Sequence, residues 1–421
     1  MCKKIICLLI FSVLLFGISA CGGINEPYVS PVVETLVVQP EPELPVEPDL
    51  VIPWKVAIVT NTVDQNEEEY RSAENLVARF GEDKAIHRTW PIMFGQEGDM
   101  MIQILEEIVS DPEVGVLIIN QAVINTNAAV DSVRELRGDD IFIVYAQPVE
   151  AVEEVAERAN LLFNTNDTLI GYKFVHQAIA MGAETIVHYS FPRHMAVPLL
   201  AMRRDVMKET AEANGIKFVE LEAPDPMGDG GMPMMSMSHM HDVPRRVEEF
   251  GVNTAFFGTN CGMQITMIEQ VVATGAIYPQ PCCPSPYHGF PTALGITSHT
   301  FTGEYDEYGN PIFRLRDLHE VIDEVRSEIA RRGASGRLST WPIPTSMLYT
   351  TVAFEYGVKW LNGEVPRAHG EIDLEVLAQI FEDIIAVYAI DEGLSVGLAT
   401  LELDGVSFSH YILAVQDYLV F

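Results

Sequence analysis

Basic side chains are scarce in this chain: 26 Lys and Arg stand against 60 Asp and Glu, a formal net charge of -34 over 421 residues. Nucleic-acid binding needs a basic patch to meet phosphates, and adhesion to an anionic membrane surface needs the same, so the composition excludes both for the protein face. Cysteine is also sparse, with six in all and only Cys261, Cys282 and Cys283 beyond residue 21. Three thiols cannot build a disulfide framework for a chain of this length, and the fold must rest on an apolar core. Long hydrophobic runs are missing past the N-terminus. Even residues 384–401 are interrupted by Asp391, Glu392 and Gly393, so no later segment reads as a membrane span. The early Gly-rich phosphate fingerprint is absent, and no Ser, His, Asp order or paired-carboxylate motif supports hydrolysis.

What is present begins with a leader. Lys3 and Lys4 precede an apolar run over residues 5–16 that closes on small residues, which is the order of a secretory signal and too short to span a bilayer stably. The closing Ile18 Ser19 Ala20 Cys21 resembles the lipobox of bacterial lipoproteins, in which the Cys becomes the lipidated first residue of the mature chain. That resemblance implies a signal peptide over 1–20, lipidation at Cys21 and an extracytoplasmic protein anchored in the cell membrane. Residues 21–53 carry Pro27, Pro31, Pro40, Pro42, Pro45, Pro48 and Pro53 among acidic side chains, with no Lys or Arg. Such a segment extends as polyproline II at about 3.1 Å per residue and repels itself, so it acts as a spacer.

From Trp54 the period changes. Residues 56–60, 85–89, 114–119, 141–145 and 160–163 read as short apolar strands, separated by amphipathic helices such as the one opened by Asn66 and Glu69 and closed at Gly81. Near-continuous apolar strands alternating with helices argue a parallel sheet covered on both faces. The pattern then restarts. Strands are expected at 186–189, 217–221, 255–257, 276–278 and 292–297, with helices at 166–182, 195–214, a short one opened by Asp242 and Pro244, and one running to Gly275. Later helices follow over 345–361 and 374–388, and a hairpin over 396–401 and 406–413 turns at Asp404 Gly405. The expected fold class is therefore α/β, with two doubly wound parallel-sheet lobes behind the signal peptide and Pro-rich linker. The expected boundaries are 54–165 for the first lobe and 166–298 for the second, with 299–421 supplying helices and a hairpin that complete both.

Parallel sheets bind ligands at the carboxyl edge of their strands. The loops leaving that edge carry Asn61, Thr62, Asn120, Gln121, Tyr145 and Gln147 in the first lobe, and Ser190, Arg193, His194, Thr259, Asn260 and Cys261 in the second. These twelve are the expected ligand-binding residues. Arg193 has the fork to hold a carboxylate or phosphate, or else to form a lobe-to-lobe ion pair. The stiff loop Pro279 Gln280 Pro281 Cys282 Cys283 Pro284 Ser285 Pro286 should bring its cysteines to the same cleft as Cys261.

Two βα series behind a lipid anchor resemble the type I periplasmic solute-binding proteins. Phe257 Gly258 Thr259 Asn260 Cys261 Gly262 Met263 is similar to their Asn-Asp-x-Met pattern at Asn260 and Met263, with Cys261 in place of the Asp. More closely, Asp242 Val243 Pro244 Arg245 Arg246 Val247 Glu248, then Thr259 Asn260 Cys261, then Pro281 Cys282 Cys283 Pro284 Ser285 Pro286 Tyr287 His288 Gly289 look like a family of bacterial lipoproteins described only as a domain of unknown function. The resemblance implies a two-lobed fold and a receptor, not an enzyme, that closes on an unknown small molecule for an ABC-type transporter or a membrane sensor. It implies no cofactor and no metal.

The rival class is a thiol- or metal-dependent extracytoplasmic enzyme, or a metal-binding protein, using Cys261, Cys282 and Cys283. With His288 these could be a metal set, although adjacent cysteines lack the C-x-x-C spacing of zinc sites. A disulfide from Cys261 to one of the pair suits secretion better, and a thiol at a helix N-terminus should also have a lowered pKa. Met232, Met234, Met235, Met237, His239, Met240 and His241 form a loop-like, sulfur-rich stretch that either packs over the cleft or binds copper(I). The anchor yields the first prediction: Cys21→Ser should move the protein from the membrane to the soluble fraction, and an unchanged membrane partition would refute lipidation there.

Overall fold

Runs of β-branched and aromatic residues form strands, and the amphipathic segments between them form helices, in the computed structural model of the chain. It describes residues 54–421 apart from 64, 227, 306–308, 310, 389–393 and 404. The expected signal peptide, lipidation site at Cys21 and spacer lie outside the described residues, as does Asp404 of the expected hairpin turn. The described residues belong to one compact unit, and no helix among them is long and apolar enough to cross a membrane.

The first series runs β1 (Lys55–Thr60), α1 (Glu67–Phe80), β2 (Ala85–Thr89), α2 (Gly98–Val109), β3 (Val114–Asn120), α3 (Thr126–Arg137), β4 (Phe142–Ala146), α4 (Val152–Arg158) and β5 (Leu161–Thr165). The second runs α5 (Asp167–Ala180), β6 (Thr185–Ser190), α6 (Pro192–Met195), α7 (Pro198–Ala213), β7 (Lys217–Glu222), α8 (Gly231–Phe250), β8 (Thr254–Gly258) and α9 (Cys261–Thr274). After it come α10 (Phe290–Leu294), β9 (His299–Tyr305), β10 (Pro311–Leu315), α11 (Leu318–Arg331) and β11 (Ser339–Thr340). The chain closes with α12 (Thr345–Asn362), α13 (Leu374–Tyr388), β12 (Val396–Leu403), β13 (Val406–Gln416) and β14 (Leu419–Val420).

Two sheets result. The larger has seven strands in the order β12-β13-β5-β4-β3-β1-β2, parallel except where β12 returns antiparallel on β13. The smaller, β7-β6-β8, is parallel and is carried on by single bridges from Ala255 to Ile277 and from Tyr278 to Leu338. Each sheet is covered on both faces. Val56, Ile58, Val116 and Phe142 pack towards α1 and α12, while Ala57, Val59, Leu117 and Ile143 pack towards α2 and α3. In the smaller sheet Ile186, Ala255 and Phe257 face Phe174 and Met207 of α5 and α7, and Val187 and Phe256 face α8, α9 and α11. This is the two-lobed α/β architecture with mostly parallel sheets expected from the sequence.

The chain passes between the lobes at β5 to α5, at β11 to α12 and at β13 to β14. These crossings are stitched together. Gln416 donates to the Ile343 carbonyl at 2.7 Å and accepts from its N–H at 3.2 Å, and Lys173 reaches the Gln416 carbonyl at 2.9 Å. Ile170, Trp341 and Val415 form a small apolar cluster at the same place.

Four local readings need correction. Residues 292–297 are not a strand: the short α10 carries Pro291 in its first turn, and Gly295, in the left-handed region at φ 75°, ends it. The helix expected over 195–214 starts three residues later, because Pro198 opens its first turn, and a separate one-turn helix, α6, ends at Met195. The methionine-rich stretch is not a loop but the body of α8, with Pro244 inside the helix and not near its start. The hairpin β9–β10 was not expected, since Gly303 and charged residues interrupt its alternation; it leaves Phe301, Tyr305 and Phe313 exposed.

Helix α5 meets α7 at Gly171, where a Cβ would lie 2.7 Å from the Arg203 carbonyl oxygen. Backbone cannot turn aside as a side-chain tip can. Gly171→Ala should therefore destabilise the fold by about 1–3 kcal/mol despite the better helix propensity of Ala. The check is a thermal melt, and an unchanged or raised midpoint would contradict the packing described.

Candidate functional site

The carboxyl edge of the first lobe is wired through buried polar groups. The Asn61 N–H donates to Glu69 Oε1 at 2.6 Å, and its side-chain amide donates to Gln121 Oε1 at 2.6 Å. Thr62 turns back on Gln65. Gln147 adopts φ 51° and donates its N–H to the Phe163 carbonyl at 2.7 Å. Two of the expected ligand residues are turned inward instead. Asn120 is fully buried and spends its amide on the Ser346 carbonyl at 2.7 Å and on the Thr350 hydroxyl. Tyr145 lies within the apolar cluster under α2 and α3, where burial pushes its phenol well above the usual range. Both sit near strand ends, but their side chains project to the covered faces, so neither lines a cleft.

In the second lobe, Ser190 and Thr259 share a hydrogen bond of 2.9 Å, and His194 Nδ1 lies 3.1 Å from the same Thr259 hydroxyl. Asn260 caps α9 by accepting the Gly262 N–H at 2.9 Å. Arg193 is half exposed and grips Asp225 through Nε and Nη2 at 2.9 and 2.8 Å. That pair lies within one lobe, so the alternative of a lobe-to-lobe ion pair is not the one formed.

The densest chemistry lies where α9 begins. Cys261 is the first residue of α9, and the proline-stiffened loop after Tyr278 brings Cys282, Cys283 and His288 to it. The ligand atoms of these four residues all lie within 4.8 Å of one another. Cys261 Sγ is 3.6 Å from Cys282 Sγ, which is 3.9 Å from Cys283 Sγ. A disulfide needs about 2.05 Å, and all three thiols are free, so the expected Cys261 disulfide is not present. Hydrogen bonds from Cys282 and Cys283 hold the Cys261 thiol well below its ordinary range, and the same bond pushes Cys282 well up. The lowered pKa expected for Cys261 is found, although its leading cause is the neighbouring thiols and not the helix N-terminus.

Facing this cluster from the first lobe is the carboxyl of Glu68, with the buried Glu69 beside it, and the sequence reading missed the role of both. Ser285 donates to Glu68 Oε1 at 2.6 Å, so α1 of one lobe touches the cysteine loop of the other. Loss of water raises Glu68 and pushes Glu69 up to about 8. The only sequence signal was the capping pattern of Asn66 and Glu69. Asn66 does cap α1, but the Glu69 carboxyl reaches the Asn61 N–H and not the cap. A second tie between the lobes runs from His299 in β9 to Glu67, with Arg71 donating to the Phe313 carbonyl at 3.0 Å.

The methionines of α8 divide by face. Met235 and His239 are buried, while Met232, Met234, Met237 and Met240 are exposed. Met232 nevertheless lies over Gly262, where its Sδ is 2.6 Å from the place a Cβ would take, beside Cys261.

Comparison with known proteins agrees with this architecture. The sequence pattern of the family described as "Protein of unknown function (DUF3798)" matches residues 54–339. An uncharacterized protein of Treponema pallidum (strain Nichols) is 27% identical over 231 residues, which are 54% of this chain and 98% of that protein. The crystal structure of a proposed transcriptional regulator from Clostridium difficile 630 superposes with a TM-score of 0.73 at 18% identity, covering 87% of this chain and 99% of that one. At that identity the likeness speaks for the fold. A sugar ABC transporter structure from Actinomyces odontolyticus ATCC 17982 aligns at a TM-score of 0.48 and 10% identity, over 75% of this chain and 85% of that one.

The buried carboxyl at Glu69 makes stability depend on pH. The folded state keeps its proton up to about pH 8, whereas the unfolded chain releases it near 4.5. The contribution is therefore complete below the unfolded value and is lost as pH rises towards 8. Glu69→Gln keeps an acceptor for the Asn61 N–H without the titration. Denaturant midpoints should fall between about pH 5 and pH 8 in the natural protein and fall less in the variant; equal slopes would refute the assignment.

Proposed function

The chain belongs to the family described as a protein of unknown function (DUF3798), and from that premise we propose that it is a solute-binding receptor whose two lobes close on a small polar molecule. The observation that carries this reading is the meeting of two carboxyl edges, each lined with polar side chains, across the Glu68–Ser285 contact. Three adjacent crossings stitched by Gln416 supply a hinge on which such lobes can bend. Thr62, Gln121 and Gln147 on one side, and His194 and Asn260 on the other, are the residues we assign to the solute. Asn61, Ser190 and Thr259 hold them in place, and Arg193 is committed to Asp225.

In this reading the leader and Cys21 anchor the protein outside the cytoplasmic membrane, the acidic spacer holds it off the bilayer, and closure is read by a transporter or a membrane sensor. Binding is favoured over catalysis because the polar edge groups are engaged with one another and converge on no single reacting atom. One observation favours the rival class: an imidazole, His288, stands with three thiols. Its consequence is taken up below as a metal site.

Native mass spectrometry of the freshly purified protein should reveal a copurified small molecule. Removing that molecule should enlarge the radius of gyration as the lobes part. Superimposable scattering curves before and after removal would rule out closure on the solute.

A further inference from the structure

We propose that Cys261, Cys282, Cys283 and His288 form a tetrahedral site for a thiophilic d10 ion, with zinc as its occupant. The donor atoms lie within 4.8 Å of one another. A tetrahedral zinc with metal–sulfur bonds near 2.3 Å spaces its sulfurs about 3.8 Å apart. The two sulfur separations, 3.6 and 3.9 Å, straddle that value and fall well outside bonding range for a disulfide. Three thiolates and one imidazole are a standard donor set for structural zinc.

The site is also built to stay in place. Cys261 is fixed by the turn into α9, where Gln264 donates to the Gly258 and Asn260 carbonyls at 3.1 and 2.6 Å. Tyr278, at the start of the cysteine loop, donates to the oxygen of the same Gln264. One fully buried amide thus ties together the two segments that carry the ligands. At the far end of the loop Gly289 has φ 80°, and a Cβ there would lie 3.1 Å from Ile268 Cδ1 and 3.2 Å from Gln264 Cβ, so the glycine lets the residue after His288 lie against α9. Pro279, Pro281, Pro284 and Pro286 limit what the intervening backbone can do.

Loading the ion breaks up to three S–H bonds and forms three zinc–sulfur bonds and one zinc–nitrogen bond. The protons pass to solvent and no electrons are transferred. All four ligands come from one lobe. The site therefore goes beyond the receptor reading and does not depend on lobe closure.

The test is metal analysis of the full chain purified under reducing conditions without added metal, followed by chelator treatment and titration with cobalt(II) and zinc. One zinc per chain is expected, and the stripped protein should take up one cobalt with thiolate charge-transfer and tetrahedral d–d bands that zinc abolishes. Cys261→Ser and His288→Ala should each weaken zinc binding by more than the roughly 10–100-fold that loss of a supporting residue costs. His288 is only half-buried, so its variant should fold even where the cysteine variant does not, and the cobalt titration of the unaltered protein needs no variant. Reduced protein that takes up neither ion would overturn the proposal. So would a Cys261 disulfide mapped in protein isolated without oxidant, or one copper(I) held equally well with and without His288. Zinc bound at one per chain in a protein whose scattering ignores every solute would leave the site intact and remove only the receptor reading.

Discussion

A parallel strand cannot be joined to its neighbour by a tight turn, and this constraint organises the whole molecule. Each return must run through a helix, which covers a face of the sheet and obliges the strand to be apolar on both sides. Every residue of β3 is buried for that reason. The same geometry sends each strand-to-helix turn to one edge of its sheet, where backbone groups and helix N-termini are left to be satisfied by side chains. Glu69, Asn260 and Gln264 do that work, and the chemistry gathers where they hold the backbone still.

The polar edges are costly places to fold. A buried donor or acceptor without a partner loses about 1–3 kcal/mol, which explains why Asn61, Gln121 and Glu69 bond to one another, and Ser190, Thr259 and His194 likewise. Glu69 cannot be solvated as an anion where it sits, so it keeps its proton. The thiols beside Glu68 solve the same problem by sharing hydrogen bonds, which leaves their sulfurs grouped and unbonded.

Much of this was legible in the sequence because burial on both faces writes itself as apolar runs. The strands at β1, β3, β4, β6 and β8 were placed to within a residue or two, and so was the stop of α9 at Gly275. What failed was decided by tertiary partners. Tyr145 and Asn120 stand at the proper edge, but which face each side chain takes depends on helices far along the chain. Glu68 and Glu69 look like ordinary first-turn acids until a loop more than two hundred residues later meets Glu68 and the turn at Asn61 takes up Glu69. The adjacent cysteines break the usual metal spacing, and only the fold shows that Cys282 and Cys283 both keep their sulfurs near Cys261.

The pairing of β13 with β5 joins Tyr411 to Leu162 and Ala414 to Thr165. The first lobe thus waits for the end of the chain: its sheet lacks β12 and β13, and its inner face lacks α12, until residues beyond 345 arrive. Contacts this distant in sequence carry a large loop-closure cost and slow folding. The early βα units cannot lock into a native lobe by themselves while later residues are still emerging. That delay keeps the first lobe pliable until the last strand is delivered.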